Sequence, residues 1–407
     1  MDTLTFPNVT VDLTEQRIVI VGAGLGGLRV AEGLRQAGHR GPIVLLGAES
    51  ELPYDRPPLS KQVLRGEKEL VYLREEYDSL GLDFRRGVSA QSLDVAGHRV
   101  TLDDGSVLEY DAVVIATGAV PRVLPETEGF ENVHVLRTAN DAYVLREELT
   151  RAKHLTIVGG GFIGCEVAAS ARAMGVEVTI VEILTRPLIR VLGDAVSQLV
   201  SDIHVEHGVD IHGATSIATF HGEGRLTGVT LTDGTEIKTD VLLAGLGVTP
   251  DVGWLEGSGL EIDNGVICDE FCQAAPGVWA VGDVARWRHV GLDELRRLEH
   301  WTNAADMASA VAMNIVAPDG ERQPYLPVPY VWSDQYDVKI QSVGFFRESD
   351  DVTLLKVGPK QKQVAIYGRD GKLTGAVGFS APAPVMRLRQ LLVDGGSVQE
   401  AIDRVSG

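Results

Sequence analysis

A repeat constrains this chain more than any other feature. Residues 17–27 read RIVIVGAGLGG and residues 155–164 read LTIVGGGFIG. In each copy an apolar strand runs into G-x-G-x-x-G, at Gly22, Gly24 and Gly27 and again at Gly159, Gly161 and Gly164, 137 residues later. Helical stretches follow over 28–37 and 165–174. The order matters physically. The first glycine permits a tight turn, the second lets backbone approach a pyrophosphate, and the third lets helix and strand pack closely. The open N–H groups and positive end of the helix then face phosphate. After a second strand over 43–46, Glu49 lies 22 residues past Gly27. In the second copy a strand over 178–181 ends at Glu182, 18 residues past Gly164. Acids so placed accept hydrogen bonds from ribose hydroxyls. Two full fingerprints predict an α/β chain with two Rossmann-like dinucleotide sites.

The remaining segments fit that plan. Pro53 to Lys61, PYDRPPLSK, is too rich in proline for a helix interior and is expected as an ordered loop or a helix start. Turn signals at Asp103-Asp104-Gly105 and Asp233-Gly234 predict two hairpins. Strands ending in glycine turns are expected at 111–118 (DAVVIATG), 241–247 (VLLAGLG) and 277–283 (GVWAVGD), and a long helix over 304–316. Prolines 318, 324, 327 and 329 mark a linker. On this reading 1–120 and 245–325 form one discontinuous domain, 121–244 a second, and 326–407 a smaller α+β domain of short strands with a final helix.

Charge and cysteine content narrow the function. A formal charge of −20 over 407 residues opposes nonspecific binding to nucleic acid or an anionic membrane. Residues 356–389 run against this trend, with seven Lys/Arg and one acid, Asp370. Cys165, Cys268 and Cys272 provide neither a disulfide framework nor a metal site, and are expected to be small buried residues. No metal is expected. The first fifteen residues lack a basic start and an apolar core, so no signal peptide is expected. No apolar run approaches the roughly 20 residues of a membrane span. The expected location is cytoplasmic.

With these pieces in order, the chain resembles the flavoprotein reductases with two dinucleotide-binding domains, of glutathione-reductase-like fold. It looks most like the ferredoxin reductases that serve aromatic-ring dioxygenases and bacterial cytochromes P450. GAGLGG, PYDRPPLSK, IATGAVPR, GGGFIGCE, GLGVTPD, VWAVGDVA, RLEHWTNA and YVWSDQY carry the resemblance, in the family's order. It implies non-covalent FAD held by Gly22, Gly24, Leu25, Gly26, Gly27, Glu49, Arg56, Lys61, Ala90, Ala116, Thr117, Gly118, Arg137, Asp283, Glu299, His300 and Trp301. Asp283 would bind a ribitol hydroxyl, and the helix opening at Glu299-His300-Trp301 would aim its N-terminus at the flavin pyrimidine. The family carries an acid directly after the glycine that ends the second strand. Here that residue is Ala48, and Glu49 takes the role. NADH would lie on Gly159, Gly161, Phe162, Ile163, Gly164, Glu182 and Gly247. Glu182 favours NADH, since it would repel a 2′-phosphate. Arg186 and Arg190 nearby keep NADPH open.

The resemblance assigns Lys61, Glu166 and Trp332 to the reaction centre. Lys61 would sit beside flavin N5, paired with Glu166, and stabilise the reduced flavin's negative charge. Trp332 would stand between the flavin edge and the docked iron–sulfur protein. Hydride would pass from NADH to flavin N5, then single electrons to a [2Fe–2S] ferredoxin and on to a P450 or dioxygenase. The region around Lys61 contains no cysteine, so no thiol relay is expected. Residues 356–389 with Arg286, Arg288, Arg296 and Arg297 are candidates for docking an acidic ferredoxin, although the 304–316 helix lacks a basic residue that relatives often carry. Rubredoxin, monodehydroascorbate, a quinone or oxygen are alternative acceptors. A signalling flavoprotein like apoptosis-inducing factor is a further alternative. The protein is expected as a monomer or homodimer.

Overall fold

The computed structural model describes residues 13–406, so the signal-peptide reading lies largely outside the described residues. The chain forms two compact units. One contains the chain up to Tyr54, Tyr72–Ala119 and Pro250–Pro327; the other contains Asp55–Val71, Val120–Thr249 and Val328–Gly407.

In the first unit the unbroken apolar run Ile18–Val21 forms a strand buried on both faces, as a central parallel strand must be. It pairs in parallel with Ile43–Gly47 and with Ala112–Ile115. Leu82–Arg86 extends one side of this six-stranded sheet; parallel Val278–Ala280 and antiparallel Gln273–Ala275 extend the other. Ile18, Val19 and Ile20 are wholly buried, and such side chains contribute about 1.5–3 kcal/mol each. The Leu25–Gln36 helix packs on the Trp301–Val316 helix. They meet closely because residue 33 is glycine, where a Cβ would lie 2.8 Å from that of Ala312.

The second unit repeats the arrangement. Val209–Gly213, Glu177–Glu182, His154–Val158, Val241–Ala244 and Val133–His134 form a parallel sheet in that order. Both expected hairpins form, Arg99–Leu102 with Val107–Glu109 in the first unit and Arg225–Leu231 with Glu236–Lys238 in the second. The proline-rich stretch becomes a 3₁₀ turn, Pro57–Ser60, with proline in its first positions.

The C-terminal segment departs from the expectation of short strands and one helix. It forms a five-stranded antiparallel sheet whose longest strands, Lys362–Arg369 and Lys372–Phe379, have eight residues each. Two helices follow, Pro382–Val393 and Val398–Ser406. Strand glycines break the apolar pattern but serve packing: a Cβ at Gly378 would lie 2.4 Å from the Val385 side chain. The opposite side of this sheet contributes Ile340, Ala365 and Val377 to a core shared with Cys165, Leu192 and Val196. Among the described residues no helix is long and apolar enough to cross a membrane.

Candidate active site

The two glycine loops have the same geometry. Gly22 takes φ +111°, and a Cβ there would lie 2.3 Å from the carbonyl oxygen of Ala116. Gly159 takes φ +100°, with the equivalent clash at 2.4 Å against Gly245. Both backbones are closed to L side chains. A Cβ on Gly27 would stand 1.9 Å from the Gly22 oxygen, and one on Gly164 2.3 Å from the Gly159 oxygen. The third glycine of each loop therefore permits helix-to-strand contact. The middle glycines differ. Gly24 has nothing within 4 Å of its Cβ direction, and Gly161 only the Gly245 oxygen at 4.0 Å. Both are helix N-caps without a side-chain cap, and neither helix has an acid in its first turn. Leu25 and Gly26, like Phe162 and Ile163, open these first turns. Each loop is thus an open, anion-favouring cradle at a helix N-terminus.

The other residues expected at FAD divide between the units. In the first, Glu49 accepts a hydrogen bond from the Tyr54 hydroxyl. Ala90 begins the strand Ala90–Asp94. Ala116, Thr117 and Gly118 follow the Ala112–Ile115 strand, and the Thr117 hydroxyl donates to the Asp251 carbonyl at 2.7 Å. Asp283 lies in the turn Gly282–Val284, its carbonyl accepting from Arg297 at 3.1 Å. Glu299 pairs with that same arginine. His300 caps the Trp301–Val316 helix with backbone alone, and its Nδ1 is buried without a hydrogen-bond partner. Burial lowers the His300 pKa to about 4, so the ring is neutral at pH 7. An open cradle at Gly24 and the orphaned ring nitrogen of His300 are what a bound dinucleotide would satisfy. The residues present fit FAD.

In the second unit Arg56 donates to the Arg137 carbonyl, while the Arg137 amide donates to Asp141 at 2.9 Å. Glu182 is buried, and both carboxylate oxygens brace the loop: one accepts from the Gly160 amide at 2.7 Å, the other from the Leu184 amide at 2.8 Å. Ile163 is exposed, Arg186 pairs with Asp194, and Arg190 is exposed. Gly247 takes φ +80° beyond the Val241–Ala244 strand.

Lys61 and Glu166 do meet. Their Nζ and Oε2 atoms lie 2.6 Å apart, with side chains 6% and 5% exposed. Nζ also lies 3.0 Å from the Pro57 carbonyl and 3.2 Å from Ser60 Oγ, so its three protons are all directed at protein acceptors. The lysine can act on a ligand by its charge without giving up a proton. Glu166 is further held by the Ser60 hydroxyl at 2.6 Å and the Ser333 hydroxyl at 2.7 Å. Sequence reasoning missed both serines. Ser60 precedes Lys61 in PPLSK and Ser333 follows Trp332 in WSDQ, and neither has a sequence signal of its own. Trp332 is half-buried and stacks on Tyr330 at 5.9 Å. The three cysteines are buried, and burial raises each thiol's pKa.

Residues 16–308 match the family described as pyridine nucleotide-disulphide oxidoreductase, and residues 330–404 match the reductase C-terminal family. The chain belongs to the pyridine nucleotide-disulphide oxidoreductases. Among its relatives is the rhodocoxin reductase of Rhodococcus erythropolis, 37% identical over 82% of this chain and 79% of that protein. The ferredoxin–NAD(+) reductase component of the p-cumate 2,3-dioxygenase system of Pseudomonas putida is 39% identical over 81% of each. The ferredoxin reductase for the CYP199A2 system of Rhodopseudomonas palustris superposes with a TM-score of 0.91 at 34% identity, covering 96% of this chain and 97% of that one. Despite the family's name, no cysteine pair accompanies Lys61; Cys165, the chain neighbour of Glu166, is fully buried.

Proposed function

We propose that this chain is an NADH-dependent ferredoxin reductase, which uses FAD to pass electrons from NADH to a [2Fe–2S] ferredoxin serving a cytochrome P450 or a ring-hydroxylating dioxygenase. One observation carries the reading: two matching dinucleotide cradles occur with a buried, cysteine-free Lys–Glu pair. The chemistry FAD supplies when bound is the conversion of a two-electron hydride donor into single electrons. The protein's share is orientation and electrostatics. Gly22, Gly24 and Gly27 take the FAD diphosphate, and Asp283 with the helix N-terminus at Trp301 takes the rest of the flavin. Gly159, Gly161 and Gly164 take the diphosphate of NADH, with Glu182 facing the ribose. The Lys61 ammonium, locked by Glu166, Ser60 and Pro57, presents positive charge to the reduced cofactor.

Glu182 supports NADH over NADPH because its buried charge would meet a 2′-phosphate, while Arg186 is engaged by Asp194. Trp332 is the proposed exit for electrons. Arg286, Arg288, Arg296 and Arg297 each pair with an acid, Asp263, Asp293, Glu294 and Glu299 respectively. Ferredoxin docking is therefore assigned to the exposed Lys356, Lys360, Lys372 and Arg387. An anaerobic NADH titration of the FAD-loaded protein tests the scheme. The flavin band bleaches, and added ferredoxin restores it. Absence of bleaching at any NADH concentration refutes it.

A further inference from the structure

Glu166 does not end at its two serines. The Ser333 hydroxyl donates to Glu166 Oε1 at 2.7 Å, and Ser333 Oγ in turn lies 3.1 Å from Gln335 Nε2. Gln335 Oε1 lies 3.0 Å from His204 Nε2, and His204 Nδ1 lies 2.9 Å from the Tyr336 hydroxyl. Ser333, Gln335 and His204 have no exposed surface. The line ends where the Tyr336 ring stacks on His207 at 3.7 Å, and His207 is exposed.

The chemistry of each group fixes the direction of this line. A carboxylate only accepts, so the single Ser333 proton must point at Glu166. The group behind Ser333 must then donate, which sets the Gln335 amide with its NH₂ toward Ser333 and its oxygen toward His204. That oxygen requires a proton on His204 Nε2. Burial lowers the His204 pKa to about 4, so Nδ1 is an acceptor at neutral pH and takes the Tyr336 proton. Every hydrogen bond points toward Glu166. The line is not a proton wire, because an amide such as Gln335 passes a proton only by becoming an imidic acid. Its effect is on orientation and charge: aligned donors polarise one another and hold the acceptor at the end.

We propose that Ser333, Gln335, His204 and Tyr336 are positioning residues, a one-way hydrogen-bonded line that fixes the Glu166 carboxylate and, through it, the Lys61 ammonium. The proposal rests on the reading of Lys61 as the charge that serves reduced flavin. It gives Tyr330–Gln335 a double task. Ser333 and Gln335 point to the buried side of this strand, and the alternation turns Trp332, the proposed electron exit, to the other side. The titratable and charged groups around the line are Lys61, Cys165, Glu182, Arg172 and His207.

The test uses the full-length, FAD-loaded protein and two readouts. Long-range ¹H–¹⁵N spectra of the imidazoles report the His204 tautomer, and a redox titration reports the flavin midpoint potential. In the wild type, His204 carries its proton on Nε2 and stays neutral at pH 6. Ser333→Ala moves the flavin potential to a more negative value and slows flavin reduction by NADH about tenfold with the KM for NADH unchanged. Tyr336→Phe, which loses only a hydroxyl at the outer end, shifts the tautomer balance of His204 and moves the potential the same way by less. This variant keeps the test decisive if Ser333→Ala does not fold. A proton on Nδ1, or a charged ring at pH 6, overturns the proposal. So does an unchanged potential in both variants when Lys61→Met shifts it, an outcome that leaves the role of Lys61 standing. If Lys61→Met also leaves the potential unchanged, the reading of Lys61 falls and the proposal with it.

Discussion

Replacing Glu166 with leucine removes the partner of an ammonium that is 6% exposed. Breaking a buried pair from one side costs about 3–5 kcal/mol, because the remaining charge is neither hydrated nor compensated. The Pro57 carbonyl and Ser60 hydroxyl still face Nζ, which places the cost toward the lower end of that range. For a unit of about 150–250 residues each kcal/mol moves the midpoint by about 2–4 °C, so the transition of the second unit falls by at least roughly 6 °C. The double variant Lys61→Met/Glu166→Leu separates charge from packing. Swapping a whole buried ion pair for apolar groups of similar volume is close to neutral. The double variant therefore recovers at least half of the loss, and a double-mutant cycle returns a coupling of about 2 kcal/mol or more. Differential scanning calorimetry on the apoprotein resolves the transition. A Glu166→Leu midpoint within about 1 °C of wild type, or a double variant whose loss equals the sum of the singles, refutes the argument that this pair is dry and coupled.

The glycine loops give a contrast between folding and binding. Gly24→Ala and Gly161→Ala leave apoprotein melting unchanged, because their Cβ directions are open, but weaken FAD and NADH binding respectively by tenfold or more, as measured by fluorescence titration. Gly27→Ala, whose Cβ would lie 1.9 Å from the Gly22 oxygen, lowers apoprotein stability itself; equal melting of Gly27→Ala and Gly24→Ala contradicts this. Glu182→Gln keeps only one acceptor oxygen, orphans the Gly160 or Leu184 amide and removes the charge that a 2′-phosphate would meet, so the KM for NADH rises and the preference for NADH over NADPH narrows in steady-state assays. The pH dependence comes from His204. Its folded pKa of about 4 lies below the ordinary 6.5, so the unfolded chain binds the extra proton between these values. Stability is then full above about pH 6.5 and is lost as pH falls toward 4, by about 3 kcal/mol from this ring alone. A His204→Gln variant shows a shallower acid limb in denaturant titrations at pH 7 and pH 4.5.

The paired cradles were the most legible part of the chain because their requirements are backbone requirements. Gly22 and Gly27 must be glycine whatever packs around them, so the spacing alone located both loops, the strands before them and the acid Glu182. The 3₁₀ turn at Pro57–Ser60 was half legible: proline excluded a helix interior but did not select the turn. The C-terminal sheet was misread as short strands because Gly368, Gly375 and Gly378 interrupt its apolar alternation. Those glycines answer to Val398, Phe346 and Val385, side chains that approach from other elements and are invisible to a local pattern.

The surroundings of Lys61 show the same limit. Ser60 and Ser333 lie 273 positions apart in sequence, yet their hydroxyls converge on the two oxygens of one carboxylate. Neither serine has a distinctive sequence context of its own. What makes them necessary is that Glu166 is buried with more acceptor sites than a single lysine can fill, and an unfilled site there costs about 1–3 kcal/mol or more. Once Lys61 and Glu166 are accepted as a buried pair, the search for further donors becomes an accounting problem with a definite answer. That answer reaches from the 3₁₀ turn, through the glycine-loop helix, into the C-terminal strand that carries Trp332. The Lys61–Glu166 pair and the strand that carries Trp332 are thus held by one set of hydrogen bonds, so the proposed charge and the proposed electron exit rest on the same structural unit.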